Sequence, residues 1–315
     1  MKILFFGSSS IAKSFLVRLY KKHHKIFIIT IPDKNYIYNN EQNLVKIYAQ
    51  RHNIDFIQPD TFLHKWVFEK INEYKADVGI VINYGKVILR TIFELPKYKT
   101  FNIHFSLLPK YRGAAPVQHA LCNGENETGI TAFYIDQNID TGNIIMQKKL
   151  MITHNDNAKT LMQKLIPLGI SVMESIIHEL HINHIIIQKT CQKGIVSLAP
   201  RIKKSDGLIL WNTDAITIYN KFRGFYLWPG VYSKISTGKL HGKKIKFLDM
   251  EICDHCSVNH DYGIIESVKK CKGFVVSCKL GKILITKIQL EGKTITDAWS
   301  FLQGRQLTLG DKFSL

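Results

Sequence analysis

The sequence predicts an α/β protein in two domains, a parallel-sheet domain followed by a small antiparallel β-barrel. Three observations carry this. In the N-terminal half, short apolar runs alternate with helical patterns, the rhythm of strands joined by crossover helices. After residue 207 the texture changes to short β-rich runs separated by turn signals. Between them lies a polar stretch, 190–206, with Pro200 and Lys203-Lys204. The expected division is a domain over 1–189, a linker over 190–206 and a second domain over 207–315.

Each element has a local reason. Residues 2–6 are an apolar run ending at Gly7, and Ser10 is placed to cap a helix whose face holds Ile11, Phe15, Leu16 and Leu19. Residues 25–31 read as a second strand, stopped by Pro32-Asp33. A helix near 41–52, a short strand at 54–57, a helix over 62–74 and a buried strand at 77–82 continue the alternation. A further strand, 100–105, runs into a loop, 106–116, punctuated by Pro109, Gly113 and Pro116. Strands at 130–135 and 144–150 flank a loop holding Asp136, Asp140 and Gly142, and a long helix follows over 157–180. The second domain offers β runs at 244–252, 274–278 and 282–290, with helices near 213–223 and 296–303.

Composition is ordinary for a globular protein, with 45% hydrophobic and 22% charged residues. No apolar run reads as a bilayer span, so no membrane is expected. The opening apolar stretch is cut short by Gly7 and three serines, which reads as a strand and not an export signal, so a cytoplasmic location is expected. The net charge of +18 suggests a polyanionic partner, nucleic acid before membrane; the plainer alternative is a generally lysine-rich surface. Basic density is higher towards the C-terminus, where residues 203–315 hold 18 Lys+Arg against 10 Asp+Glu. Six cysteines do not make a disulfide framework. Cys253 and Cys256 have the spacing of half a zinc ribbon, but six residues separate Cys271 from Cys278, so no metal is expected. Gly7 and its three serines lack the G-x-G-x-x-G fingerprint, which disfavours a nicotinamide cofactor.

The densest polar cluster is Asn102-x-His104-x-Ser106-Leu107-Leu108-Pro109-x-x-Arg112-Gly113. Residues two apart in a strand share a face, so Asn102 and His104 project together from a strand end, where α/β sheets bind ligands. An amide and an imidazole aimed at one point can stabilise an oxyanion or move a proton, and Asp140 can orient or charge the imidazole. The alternative is a solvated strand end with a satisfied histidine.

This motif, with Asp136 and Asp140-Thr141-Gly142 downstream, resembles the signature of folate-dependent formyltransferases. Ala114-Ala115-Pro116, Asn123-Gly124-Glu125 and Thr128-Gly129-x-Thr131 extend the resemblance. So do 198–207, Trp211, Phe222–Phe225 with Trp228-Pro229, and the closing segment 290–304. These later pieces are similar to the branch that formylates charged initiator tRNA, and separate the chain from short purine-pathway relatives. The resemblance implies a Rossmann-like domain joined to an OB-like β-barrel that binds tRNA. It implies Asn102, His104 and Asp140 as the catalytic trio, and Ser106, Leu107, Leu108 and Pro109 with Tyr84 and Gly85 around the folate. It further implies 10-formyltetrahydrofolate as formyl donor, initiator methionyl-tRNA as acceptor, no metal and a monomer. Arg112 is placed to contact phosphate or to fix its loop; Lys34, Lys243, Lys244 and Lys246 are candidate tRNA contacts.

Two departures stand out. The first loop reads Gly7-Ser8-Ser9 where the family has Gly-Thr-Pro. The family's basic insertion after Pro-Asp is replaced by residues 35–43, which contain no Lys or Arg; Tyr36 and Tyr38 there can stack on a base or pack on the surface. The rival readings are a relative acting on an amino-sugar nucleotide and a non-catalytic RNA-binding protein of the same fold.

Overall fold

The computed structural model describes residues 1–33, 42–184, 190–304 and 306–314. Lys34, Tyr36 and Tyr38 lie outside the described residues. The chain packs as two compact units: Met1–Pro116, Glu127–Met151 and Met162–Pro200 form the first; Val117–Asn126, Ile152–Leu161 and Arg201–Leu315 form the second. The stretch expected to link two domains is therefore divided between them at Pro200.

The elements run β1 (Lys2–Gly7), α1 (Ser10–Lys21), β2 (Lys25–Ile29), α2 (Leu44–Arg51), β3 (Phe56–Ile57), α3 (Lys65–Tyr74), β4 (Val78–Ile82), α4 (Arg90–Phe93) and β5 (Thr100–His104). They continue with β6 (Arg112–Gly113), α5 (Pro116–Cys122), β7 (Glu127–Tyr134), β8 (Ile144–Met151), α6 (Ala158–Asn183) and β9 (Leu198–Ala199). The first helix is capped by Ser9, one residue earlier than expected, whose hydroxyl accepts from the Ala12 N–H.

One seven-stranded sheet has the order β3-β2-β1-β4-β5-β7-β8. The first five strands are parallel; β7 runs antiparallel to β5, and β8 antiparallel to β7. The expected all-parallel sheet is thus a mixed one. No helical crossover joins β7 to β8; the loop between them turns straight back, which only antiparallel neighbours permit. β4 and most of β1 are buried on both faces, which explains their unbroken apolar runs.

By length and composition α6 is apolar enough to cross a membrane, where the sequence reading expects no such span. Its Leu165, Val172, Met173, Ile176 and Leu180 are buried, while Arg18 holds Glu174 at 2.6 and 3.2 Å on the solvent side. Gly169 lets the Phe15 ring approach, since a Cβ there would stand 2.9 Å from it. These contacts are those of a core helix.

The second unit contains α7 (Ala215–Gly224), β10 (Val231–Lys234), β11 (Lys244–Val258), β12 (Ile265–Lys269), β13 (Gly273–Ser277), β14 (Leu280–Leu290), β15 (Ile295–Asp297) and α8 (Ala298–Gln303). Its antiparallel sheet has the order β10-β11-β14-β13-β12, with β15 beside β14. The last described segment closes the circle, with Phe313 bridging Ile235 and Lys312 bridging Ile264. The Phe313 ring lies 5.5 Å from those of Trp211 and Phe247 and 6.3 Å from Phe274, forming the barrel core.

Candidate active site

β5 delivers the central pair. Asn102 and His104 are in register with Phe133 and Thr131 of β7 and share one face. The loops after β1, β4 and β5 leave the same end of the parallel strands, where α/β sheets place ligands. The first two are tied together, since the Ser8 hydroxyl donates to the Tyr84 carbonyl at 3.1 Å.

His104 is only 5% exposed, and its orientation is set by two groups. Nε2 lies 2.8 Å from the Tyr111 carbonyl, which can only accept, so Nε2 carries a proton. Nδ1 faces Asp140 Oδ2 at 3.7 Å, too far for a hydrogen bond but close enough for charge to be felt. Nδ1 is therefore the position at which a proton can be gained or lost. Asp140 Oδ2 also accepts the Gly113 N–H at 2.8 Å, which anchors the carboxylate. The Asn102 amide is half-exposed and makes no hydrogen bond to the described residues, so it remains available as a donor.

The backbone around these groups is demanding. Asp140 has φ +54° and Gly113 φ +125°. A Cβ on Gly142 would sit 1.7 Å from the Tyr134 carbonyl oxygen, and one on Gly113 would sit 2.5 Å from that of Ala199. Asp136 shapes the loop, its Oδ1 accepting from the Thr141 hydroxyl at 2.7 Å and the Asn138 N–H at 3.1 Å.

The Ser106–Pro109 loop is held from beneath. The Thr131 hydroxyl donates to the Ser106 carbonyl at 2.6 Å and accepts from the Leu108 N–H at 3.0 Å. Gln147 donates to the Leu108 carbonyl at 2.8 Å and to Thr131 at 2.9 Å. Ser106 and Leu108 are buried, and the Ser106 hydroxyl is engaged with the Lys110 carbonyl at 2.6 Å. Leu107 alone among these four is partly exposed. Tyr84, expected to line a pocket, has its ring in the core against Phe6 at 5.6 Å and Phe62 at 6.3 Å. Burial holds its phenol above the ordinary range. Its segment therefore offers a pocket its main chain, with Gly85 at φ +79° and open space where a Cβ would lie.

Arg112 is half-buried, and its guanidinium donates to Gln192 Oε1 at 2.7 and 3.2 Å. Of the two expected roles, fixing the loop is the one with a visible partner. Gln147, Gln192 and Ser197 carry no motif and escape the sequence reading; their role becomes visible only when distant segments meet. Trp211, which the sequence reading counts towards tRNA, is wholly buried, and its indole N–H donates to Ser233 Oγ at 3.2 Å. Arg223 from the same stretch donates to the carbonyls of Thr153, Asp156 and His154 at 3.1, 3.2 and 3.4 Å. Both residues serve the packing of the second unit.

On that unit Lys244 and Lys246 alternate with buried Ile245 and Phe247 along β11. The Lys244 ammonium stands 3.5 Å over the Tyr232 ring, and burial, then repulsion from Lys246, lowers its pKa. Lys243 and Lys246 are exposed. Among the described residues no group of three or more His, Cys, Asp or Glu side chains is placed to hold a metal ion.

Residues 1–177 match the family model described as formyl transferase, and residues 201–306 match the formyl transferase C-terminal domain. A methionyl-tRNA formyltransferase of Endomicrobium trichonymphae is 52% identical over 99% of this chain and 100% of that protein. The chain belongs to the methionyl-tRNA formyltransferase family. The family member from Kosmotoga olearia is 36% identical, with 99% of each chain covered. Among solved structures, an N-formyltransferase from Helicobacter canadensis in complex with folinic acid and dTDP-3-aminofucose shares the fold. The TM-score is 0.68 at 24% identity, covering 90% of this chain and 98% of that one. The second family match begins at Arg201, where the chain enters the second unit for the last time, while the first also takes in 117–126 and 152–161 of that unit; the methionyl-tRNA formyltransferase relatives span both matches.

Proposed function

We propose that this chain, in the cytoplasm, transfers the formyl group of 10-formyltetrahydrofolate to the α-amine of methionyl initiator tRNA. The observation that supports it most is the convergence of an unoccupied Asn102 amide, an imidazole held by the Tyr111 carbonyl, and Asp140, in a chain with full-length relatives of that activity.

The amine nitrogen adds to the formyl carbon, and the carbonyl oxygen becomes an oxyanion. Asn102 donates to that oxygen; a donor of this kind is typically worth ~3–4 kcal/mol of barrier. His104, with its Nε2 proton committed to Tyr111, takes the amine's proton at Nδ1. The resulting imidazolium faces the Asp140 carboxylate at 3.7 Å, which stabilises it. The bond to the folate nitrogen then breaks, and the proton passes from Nδ1 to that nitrogen. This assigns oxyanion donation to Asn102 and proton transfer to His104. Nothing in these steps calls for a metal. A flat conjugated ring needs an apolar wall and a few main-chain groups, which Leu107 and the Tyr84-Gly85 backbone supply. Lys243 and Lys246, with Lys244 over Tyr232, are the tRNA contacts proposed on the second unit.

Single-turnover formylation of methionyl initiator tRNA tests the assignment. Asn102→Ala, His104→Ala and Asp140→Ala should each slow the chemical step at least ~100-fold while circular dichroism stays native. A folded His104→Ala protein at full rate would remove His104 from the mechanism.

A further inference from the structure

We infer that Gln192 is a positioning residue for the transfer reaction, the point at which a strap formed by residues 190–199 holds Asp140 in place. The inference rests on the reading that Asp140 supports the charge on His104. The Gln192 amide joins three places in the motif at once. Its Nε2 donates to the Asp140 carbonyl at 2.9 Å and to the Gly142 carbonyl at 2.8 Å, and its Oε1 receives the Arg112 guanidinium at 2.7 Å. Every donor and acceptor site needed to fix the amide's orientation is therefore used, and the side chain cannot rotate without losing bonds at both ends.

The strap is itself anchored along its length. Thr190 and Ile144 exchange backbone bonds at 2.8 and 2.9 Å. The Ser197 hydroxyl accepts the Tyr111 N–H at 2.9 Å, and the Ser197 carbonyl accepts the Arg112 N–H at 2.9 Å. β9 then pairs in parallel with β6 through Arg112↔Leu198 and Gly113↔Ala199. Tyr111 is the residue whose carbonyl holds His104 Nε2, and Gly113 is the one whose N–H holds the Asp140 carboxylate. The strap thus grips the backbone on both sides of the imidazole, and Gln192 grips the carboxylate's own residue. Asp140 needs such a grip because it stands at φ +54°, a conformation that a non-glycine residue keeps only when its surroundings impose it.

The replacements that separate positioning from bulk are Gln192→Met and Gln192→Glu, both close to glutamine in volume. Met removes every polar bond. Glu keeps an acceptor for Arg112 but sets a carboxylate oxygen against the carbonyls of Asp140 and Gly142. Gln192 is half-buried in a surface strap, so both proteins should give native circular dichroism. Steady-state formylation of methionyl initiator tRNA should show kcat reduced ~10–100-fold in both variants, the scale of a small misplacement of a reacting group. KM for the folate and for the tRNA should stay within ~3-fold of the parent, as expected when only transition-state positioning is lost. Parent-like kcat in Gln192→Glu would mean that Gln192 serves Arg112 alone and would overturn the inference. So would a loss carried by KM with kcat retained. Failure of the unsubstituted protein to formylate the tRNA would strike the functional reading instead.

Discussion

At the scale of single residues, the chemistry depends on which atoms are already committed. The Nε2 proton of His104 is bound to the Tyr111 carbonyl, Asp140 is bound to the Gly113 N–H, and the Asn102 amide is left to act. The proposed folate wall is equally selective, because within Ser106–Pro109 only Leu107 shows a partly exposed side chain. Leu107→Asp sets a charge in that wall, close to Gly129, where a Cβ would already lie 2.6 Å from the leucine. Folate binding should weaken by at least about 1–3 kcal/mol, the cost of desolvating even a neutral polar group without a partner, while tRNA affinity stays unchanged. Calorimetry with a stable folate analogue checks it; undiminished affinity would move the pocket away from Leu107. That Asn102, His104 and Asp140 would meet was legible in the sequence, because strand spacing and the motif set them towards one point. Gln147 and Gln192 were not, because a glutamine that clamps carbonyls looks like any surface glutamine until the fold brings the carbonyls to it.

At the scale of elements, strands read well where an apolar run is unbroken, as in β1 and β4, and helices where the helical period is strong, as in α1 and α6. Short edge elements such as β10, β12 and β15 passed unseen because a few half-exposed residues carry no pattern. Arg223 of α7 shows what pattern cannot show. In the sequence it is one residue of the Phe222–Phe225 stretch that carries the resemblance; in the fold its guanidinium is buried and gathers three carbonyls from the Thr153–Asp156 turn, with Asn220 Oδ1 accepting at 2.7 Å. Arg223→Met leaves those acceptors buried and unpaired, which should destabilise the protein by about 2–4 kcal/mol. Thermal unfolding should fall by several degrees, and initiator tRNA affinity measured well below the transition should be retained. A variant that melts like the parent but binds tRNA poorly would assign Arg223 to tRNA binding instead.

At the scale of the whole molecule, net charge of +18 sets the expectation of a polyanionic partner, and the outer face of β11 concentrates part of it. Each phosphate neutralised releases counterions, so replacing Lys243, Lys244 and Lys246 together by Ala should lower the log K against log salt slope for initiator tRNA by up to ~2. Folate binding should be untouched, and an unchanged slope in filter binding would place the phosphate track elsewhere. Removing residues 207–315 is a poorer test, since 117–126 and 152–161 pack with that unit and would lose their core. Closure of the barrel by Phe313 was also beyond the sequence, because one aromatic residue among polar neighbours gives no strand signal. The fold is shared with an enzyme solved with a nucleotide-linked amino sugar, so the acceptor is what sets the proposed activity apart. The most direct measurement supplies purified protein with 10-formyltetrahydrofolate and compares methionyl initiator tRNA with a dTDP-linked amino sugar by kcat/KM. Formylmethionyl-tRNA is expected with a preference of at least ~10³-fold; a preference for the sugar, or no product from the tRNA, would contradict the assignment.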